Sequence, residues 1–134
     1  VGDITKLTDA EDALAVIAAQ TVVYVFNNAA PSGLTVSGKY DSKGKFTAPD
    51  GTADCIPLKM ESSTNVSLTV DADIKIKLKV SVANKNIKIN GTAYTSDSNG
   101  FVEATINKAD CEDGVCKITK GDTMNLWWIE VTGA

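Results

Sequence analysis

From Val66 to Val82 every even position is apolar and every odd position is polar or charged. A period of two belongs to a strand with one covered face. At the usual rise per residue a single strand of that length would reach roughly 56 Å, far beyond the strands of globular proteins. Asp71-Ala72-Asp73 is the place for a bend, because Asp is poor in strand interiors and competes for backbone donors. The pattern therefore predicts two strands in one phase, Val66 to Val70 and Ile74 to Val82. Their inner row holds Val66, Leu68, Val70, Ile74, Ile76, Leu78, Val80 and Val82, and the outer face carries Asp71 and Asp73 followed by Lys75, Lys77 and Lys79. Ala83-Asn84-Lys85-Asn86 breaks the alternation, after which Ile87, Ile89 and Ala93 resume it on odd positions. The simplest reading is a hairpin of Ile74–Val82 against Ile87–Tyr94.

Other elements follow from the same signals. Thr8-Asp9-Ala10-Glu11 has the spacing of a capping box, and Ala10, Ala13, Leu14, Ile17 and Ala18 share one helical face, which predicts a short amphipathic helix from about Asp9 to Gln20. Thr21 to Phe26 is β-branched and aromatic, a strand ended by Asn27-Asn28. Further strands are expected at Leu34–Tyr40, Lys45–Thr47, Phe101–Asn107 and Thr123–Val131, with turn residues recurring about every ten positions. The expected fold is mainly β, an immunoglobulin-like or jelly-roll-like antiparallel sandwich of about eight strands with one short N-terminal helix. The whole of 1–134 forms one domain. Within it, 1–30 is a helix-plus-strand segment that could be exchanged between subunits.

Composition narrows the functions. The chain has 13 Lys and Arg together, all lysine, against 17 acids, a net charge of −4, and no histidine. Nucleic-acid binding is excluded by the sign of the charge and the missing Arg forks. The absence of His removes the commonest general base and zinc ligand, so no enzyme activity and no cofactor are expected. The longest apolar run, Ala13 to Phe26, falls short of a membrane helix and contains Gln20 and Thr21.

Of the three cysteines, Cys111 and Cys116 frame Glu112-Asp113-Gly114-Val115. Asp113-Gly114 is a strong two-residue hairpin signal, and it sets Cys111 and Cys116 opposite each other as a non-hydrogen-bonded pair about 4.5 Å apart at Cα, within reach of a disulfide. The expectation is a Cys111–Cys116 bridge, with Cys55 a buried thiol. A bridge implies an oxidising compartment. Two sequons, at Asn65 and Asn90, would be glycosylation acceptors there. The expected location is extracellular or the cell surface, a virion surface being the alternative.

Gly91 to Ala104 reads GTAYTSDSNGFVEA, a Tyr-Thr strand end leading through Asp-x-x-Gly into the next strand. It resembles a signature of bacterial and archaeal surface immunoglobulin-like repeats. That resemblance implies a β-sandwich used as a wall or stalk element, with no catalytic residues to carry over. Asp97, Asn99 and Glu103 in the same stretch are oxygen donors and a calcium candidate, although Thr95 stands where an EF-hand begins with Asp.

Trp127 and Trp128 lie side by side in the last strand, so a regular strand would send them to opposite faces. An outward Trp is either a sugar-stacking platform or a subunit contact. With Tyr24 and Phe26 on the Thr21–Phe26 strand, these rings are the candidate contact residues. The leading expectation is a structural subunit that binds copies of itself through strand edges, building an extracellular filament or appendage. The alternatives are a virion structural protein, such as a tail tube or capsid decoration, and a carbohydrate-binding or adhesive module that meets surface glycans with the Trp127/Trp128 strand.

Overall fold

The computed structural model describes residues 21–133, and the expected helix from Asp9 to Gln20 lies outside them. Among the described residues eleven strands form two antiparallel sheets. They are β1 Val22–Val25, β2 Thr35–Ser37, β3 Lys39–Tyr40, β4 Leu58–Met60, β5 Asn65–Thr69, β6 Ile74–Val80, β7 Asn86–Ile89, β8 Thr92–Thr95, β9 Phe101–Ile106, β10 Val115–Lys120 and β11 Met124–Gly133. The first sheet runs β3-β4-β11-β6-β9, with β1 also paired to β11; the second runs β2-β5-β10-β7-β8. The mainly β sandwich is therefore present, with more and shorter strands than the eight expected.

Inner rows of both sheets meet in one core. Val66 and Leu68 of β5, Ile76, Leu78 and Val80 of β6, Ile87 and Ile89 of β7, and Ile118 of β10 are all buried. Each such side chain contributes about 1.5–3 kcal/mol on leaving water. The long alternating ribbon does break at Asp71–Asp73, and the break does more than bend it. β5 belongs to the second sheet and β6 to the first, so both halves face the core from opposite sides. Asp73 fastens the crossing by accepting the Lys108 N–H at 2.8 Å.

The expected hairpin of β6 with Ile87–Tyr94 does not form. β6 pairs with β11 and β9, while β7 pairs with β10 and β8 in the other sheet. Buried Ser96 holds the crossing at residues 81–85: its Oγ accepts the Lys85 N–H at 3.1 Å and donates to the Val82 carbonyl at 2.9 Å. The real hairpin is β7–β8, turned by Asn90-Gly91 at φ 52° and 82°, the left-handed pair that a type I′ turn requires. Thr21–Phe26, proposed as a donated strand, instead pairs with β11 of its own chain through Val22↔Val131 to Val25↔Trp128.

Candidate functional site

β11 carries one irregularity, and it shapes the outer face of the first sheet. Between Leu126↔Val80 and Trp128↔Lys79 the register shifts by one residue, a β-bulge at Trp127. Leu126 and Ile129 are both buried, so the two residues between them both point outward. Trp127 and Trp128 thus share one face, contrary to the alternation expected of a regular strand.

A loop folds over the tryptophans. Phe46 and Cys55 form an isolated bridge with N–H···O distances of 3.0 and 2.9 Å, and Phe46, Ala48 and Cys55 bury against Val25, Trp127 and Trp128. Phe46 stacks on Trp127 at 5.0 Å and 7°. The Trp127 indole N–H is buried with no hydrogen-bond partner among the described residues, whereas Trp128 Nε1 donates to Glu130 Oε2 at 3.4 Å. The loop is tied down by Asp41, whose carboxylate accepts Asn125 Nδ2 at 2.9 Å and the Lys43 N–H at 3.0 Å. Those two bonds hold the Asp41 carboxyl below its usual range, the Asn125 bond contributing most.

Register then fixes three rows across the outer face. The first is Val25–Trp128–Lys79–Phe101, the second Val23–Glu130–Lys77–Glu103, and the third Thr132–Lys75–Thr105, with Thr21 Oγ1 bonded to Thr132 Oγ1 at 2.7 Å. The ammonium groups of Lys77, from the second row, and Lys79, from the first, lie 4.5 and 5.0 Å from the Phe101 ring centre, and Lys79 is 4.8 Å from the Trp127 ring centre. Lys79 also donates to the Asn99 carbonyl. Below this aromatic wall, the second and third rows line an open groove of about 580 Å³. Its floor offers two ammonium groups, two carboxylates and three threonine hydroxyls, from Lys75, Lys77, Glu103, Glu130, Thr21, Thr105 and Thr132. Lys77 and Glu103 pair loosely at 3.9 Å, and both are substantially exposed. A surface pair of this kind contributes little to stability and stays available to a ligand.

Trp127 and Trp128 both pack beneath the Phe46 loop, Trp128 in the row next to the groove, while Tyr24 is half-buried on the core side and Phe26 is fully buried. Phe26 is therefore no surface contact: its N–H donates to the Trp127 carbonyl at 3.1 Å. The groove itself went unread in the sequence, though the signal was there, since three lysines on alternate residues of one strand must share a face with whatever flanks them.

The calcium candidates Asp97, Asn99 and Glu103 lie on the turn between β8 and β9 and on β9 itself. Asp97 Oδ1 accepts the N–H groups of Asn99 at 2.8 Å and Phe101 at 2.9 Å, and Glu103 sits two residues into β9 facing Lys77. Asp97 is held below its usual range by the Phe101 N–H first and the Asn99 N–H second. Among the described residues no group of three or more acids, cysteines or histidines is placed to hold a metal.

The hairpin expected at Asp113-Gly114 is present, with φ 55° and 72° and Glu112 bridged to Val115. Cys111 and Cys116 face the core beside it, both as thiols in this structure, as is Cys55, whose Sγ lies 3.5 Å from the Thr52 carbonyl. Burial, and next the neighbouring Cys111, push the Cys116 thiol up to about 12. Asn65 is exposed on β5. Asn90 is engaged in the fold, its Oδ1 accepting the Lys117 N–H at 2.9 Å and its Nδ2 donating to Cys111 Sγ at 3.4 Å.

An antiparallel sandwich with an open, hydrogen-bonding groove across one sheet, next to a row of aromatic rings, is the build of a small ligand-binding module. Comparison with known proteins gives the family: the model of carbohydrate binding module 77 matches residues 19–129, and the chain belongs to that family. A solved structure concerned with the Ruminococcus flavefaciens cellulosome and an expansion in glycan recognition is similar at 28% identity and a TM-score of 0.71, covering 87% of this chain and 96% of that one. A structure described as a peptidoglycan O-acetylesterase aligns at 14% identity and a TM-score of 0.53, over 82% of this chain and 33% of that one, a likeness of fold. No curated protein sequence matches. The family overturns the expectation of a self-assembling filament subunit and favours the carbohydrate-binding alternative. It also replaces the immunoglobulin-like repeat resemblance with a different family of β-sandwich module.

Proposed function

We propose that this protein binds a polysaccharide in the groove on the outer face of the first sheet, without catalysis. The single observation carrying the reading is the groove itself, in which paired donors and acceptors from β6, β9 and β11 lie side by side next to the Trp128–Lys79–Phe101 row. Sugar hydroxyls both donate and accept, so ammonium, carboxylate and threonine groups in one shallow trough match them, and hydrogen bonds to charged partners are the stronger ones. Lys75 is flanked in its row by threonines, not acids. Its ammonium therefore suits a carboxylated sugar, and uronate-containing glycans are the first to try.

The test is a glycan array carrying neutral and uronate polysaccharides, followed by titration calorimetry on the best binder. Lys77→Ala and Lys75→Ala should each weaken binding at least roughly tenfold, the worth of about one charge-assisted hydrogen bond. Wild-type binding to no glycan, or full binding by the Lys75→Ala/Lys77→Ala double variant, would place the function elsewhere.

The same reading supports a location outside the cell or on its surface, in keeping with the cellulosome relative. Under oxidising conditions Cys111 and Cys116 would join, the two thiols giving up two protons and two electrons to a disulfide oxidant such as oxidised glutathione, which leaves as two thiols. Intact mass of protein secreted by its native host would read a loss of two daltons relative to the reduced chain; an unchanged mass sinks the bridge and leaves the glycan reading untouched.

A further inference from the structure

The first sheet ends at β9, and the groove does not stop there. Thr105 lines the groove on the outer face and also lines a second, polar cavity of about 390 Å³ on the other side of the β9 edge. This second cavity opens between the two sheets, where β8 and β9 run past each other at the edge of the sandwich. Asn90, Thr92 and Tyr94 come to it from the β7–β8 hairpin, and Asn107 and Asp110 from the 3₁₀ turn Lys108–Asp110 that follows β9. Asn107 occupies the N-cap position, yet its side chain makes no capping bond, which leaves the amide free to face a ligand. Asp110 is exposed, and Tyr94 is half-buried against the core, which fixes its ring. An amide, a carboxylate, hydroxyls and an anchored aromatic ring are the groups that recognise a sugar residue, and they are not the groups of a dry core edge.

Resting on the proposed glycan-binding function, we infer that the second cavity is a further subsite for the same polysaccharide chain, which crosses the β9 edge at Thr105. The ligand is then an extended chain rather than a terminal sugar, and affinity grows with its length until the chain reaches Asn107 and Asp110. The second subsite is also separable by mutation, since Asn107 and Asp110 lie outside the three rows of the outer face and do not line the groove.

The experiment is calorimetry with uronate oligosaccharides and neutral hexose oligosaccharides, each from the disaccharide to the octasaccharide, on the wild type and on the Asn107→Ala/Asp110→Ala variant. Both substituted residues are exposed, and a melting curve controls for folding. The expected result is a wild-type affinity that steps up by roughly tenfold at one oligomer length, a step the variant lacks while matching the wild type on shorter oligomers. Superimposable wild-type and variant curves overturn the second subsite, as does a wild-type affinity independent of length. In both of those outcomes Lys75→Ala and Lys77→Ala still weaken binding and the groove stands. Failure of the wild type to bind any oligomer, by contrast, removes the groove reading and this inference with it.

Discussion

Trp127 is held in an unfavourable circumstance that a single substitution can expose. Its ring stacks on Phe46, but its indole N–H is buried without a partner among the described residues, and an unsatisfied buried donor costs about 1–3 kcal/mol. Trp127→Phe keeps an aromatic ring on Phe46 and deletes the orphan donor, so its stability in denaturant unfolding should lie within about 1 kcal/mol of wild type. Trp127→Ala, which empties the site, should lose about 2–4 kcal/mol. Equal, large losses in both would show that ring size, not the unpaired N–H, dominates. Cys116 makes a second residue-scale case. With its thiol pushed up to about 12 by burial and by Cys111, the thiolate that reacts is scarce near neutrality. Iodoacetamide at pH 8 should modify Cys116 only after denaturant is added, and rapid alkylation of the native reduced protein, read by peptide mass, would contradict its burial. What the sequence could say at this scale was residue type and parity. It could say that Asp113-Gly114 turns a hairpin, because the left-handed backbone is a local demand. It could not say that Trp127 and Trp128 share a face, because a bulge is set by the partner strand.

At the scale of elements, β11 is the strand on which the site depends, bordered by β6 along one edge and by β4 and then β1 along the other. Its bulge makes a sharp prediction. Removing Trp127 altogether leaves Leu126 opposite Val80 and Trp128 opposite Lys79, a regular ladder with Leu126 and Ile129 still inward. The deletion should therefore fold, with the cost confined to the lost Phe46 stack and the lost Phe26 N–H bond, about 2–5 kcal/mol. Deleting Glu130 from the regular part of the strand turns Val131 outward and Thr132 inward, and should lower stability more than the Trp127 deletion does. A Trp127 deletion as damaging as the Glu130 deletion would mean that the bulge is required for folding. Element existence was legible from alternation, as β5 and β6 show, and so was their break at Asp71–Asp73. Sheet membership was not. Ile74–Val82 and Ile87–Tyr94 look like hairpin partners by proximity, but Ser96, more than ten residues on, pins the crossing that sends them to different sheets. Asn90-Gly91, read as part of a sequon, was the local hairpin signal that would have paired β7 with β8.

Across the whole molecule, acid should loosen one end of the sandwich before the rest. Among the described residues three carboxyl groups sit below their usual range: Asp41 through Asn125 and the Lys43 N–H, Asp50 through Thr52, and Asp97 through the N–H groups of Phe101 and Asn99. A carboxyl depressed in the folded state contributes stability that is complete above its ordinary value, near 3.9, and is lost as pH falls below that toward the folded value. With no histidine in the chain, nothing of that kind titrates between about pH 5 and 8, so the melting temperature should be flat there. The three groups are also placed together in effect. Asp41 and Asp50 hold the loop that carries Phe46 over the tryptophans, and Asp97 holds the turn that presents Phe101 beside Lys77 and Lys79. Both of the chain's tryptophans lie under that loop, so their fluorescence reports on the aromatic wall while far-UV circular dichroism reports on the sheets. Acid titration below about pH 4 should change the fluorescence first, with ligand affinity falling alongside it and the sheet signal following at lower pH. The substitution Asp41→Asn should remove much of the fluorescence step, because the loop then lacks the group that titrates. Coincident fluorescence and dichroism transitions, unchanged in Asp41→Asn, would instead mean that the sandwich opens as one unit and that the loop carboxylates do not govern its acid limit.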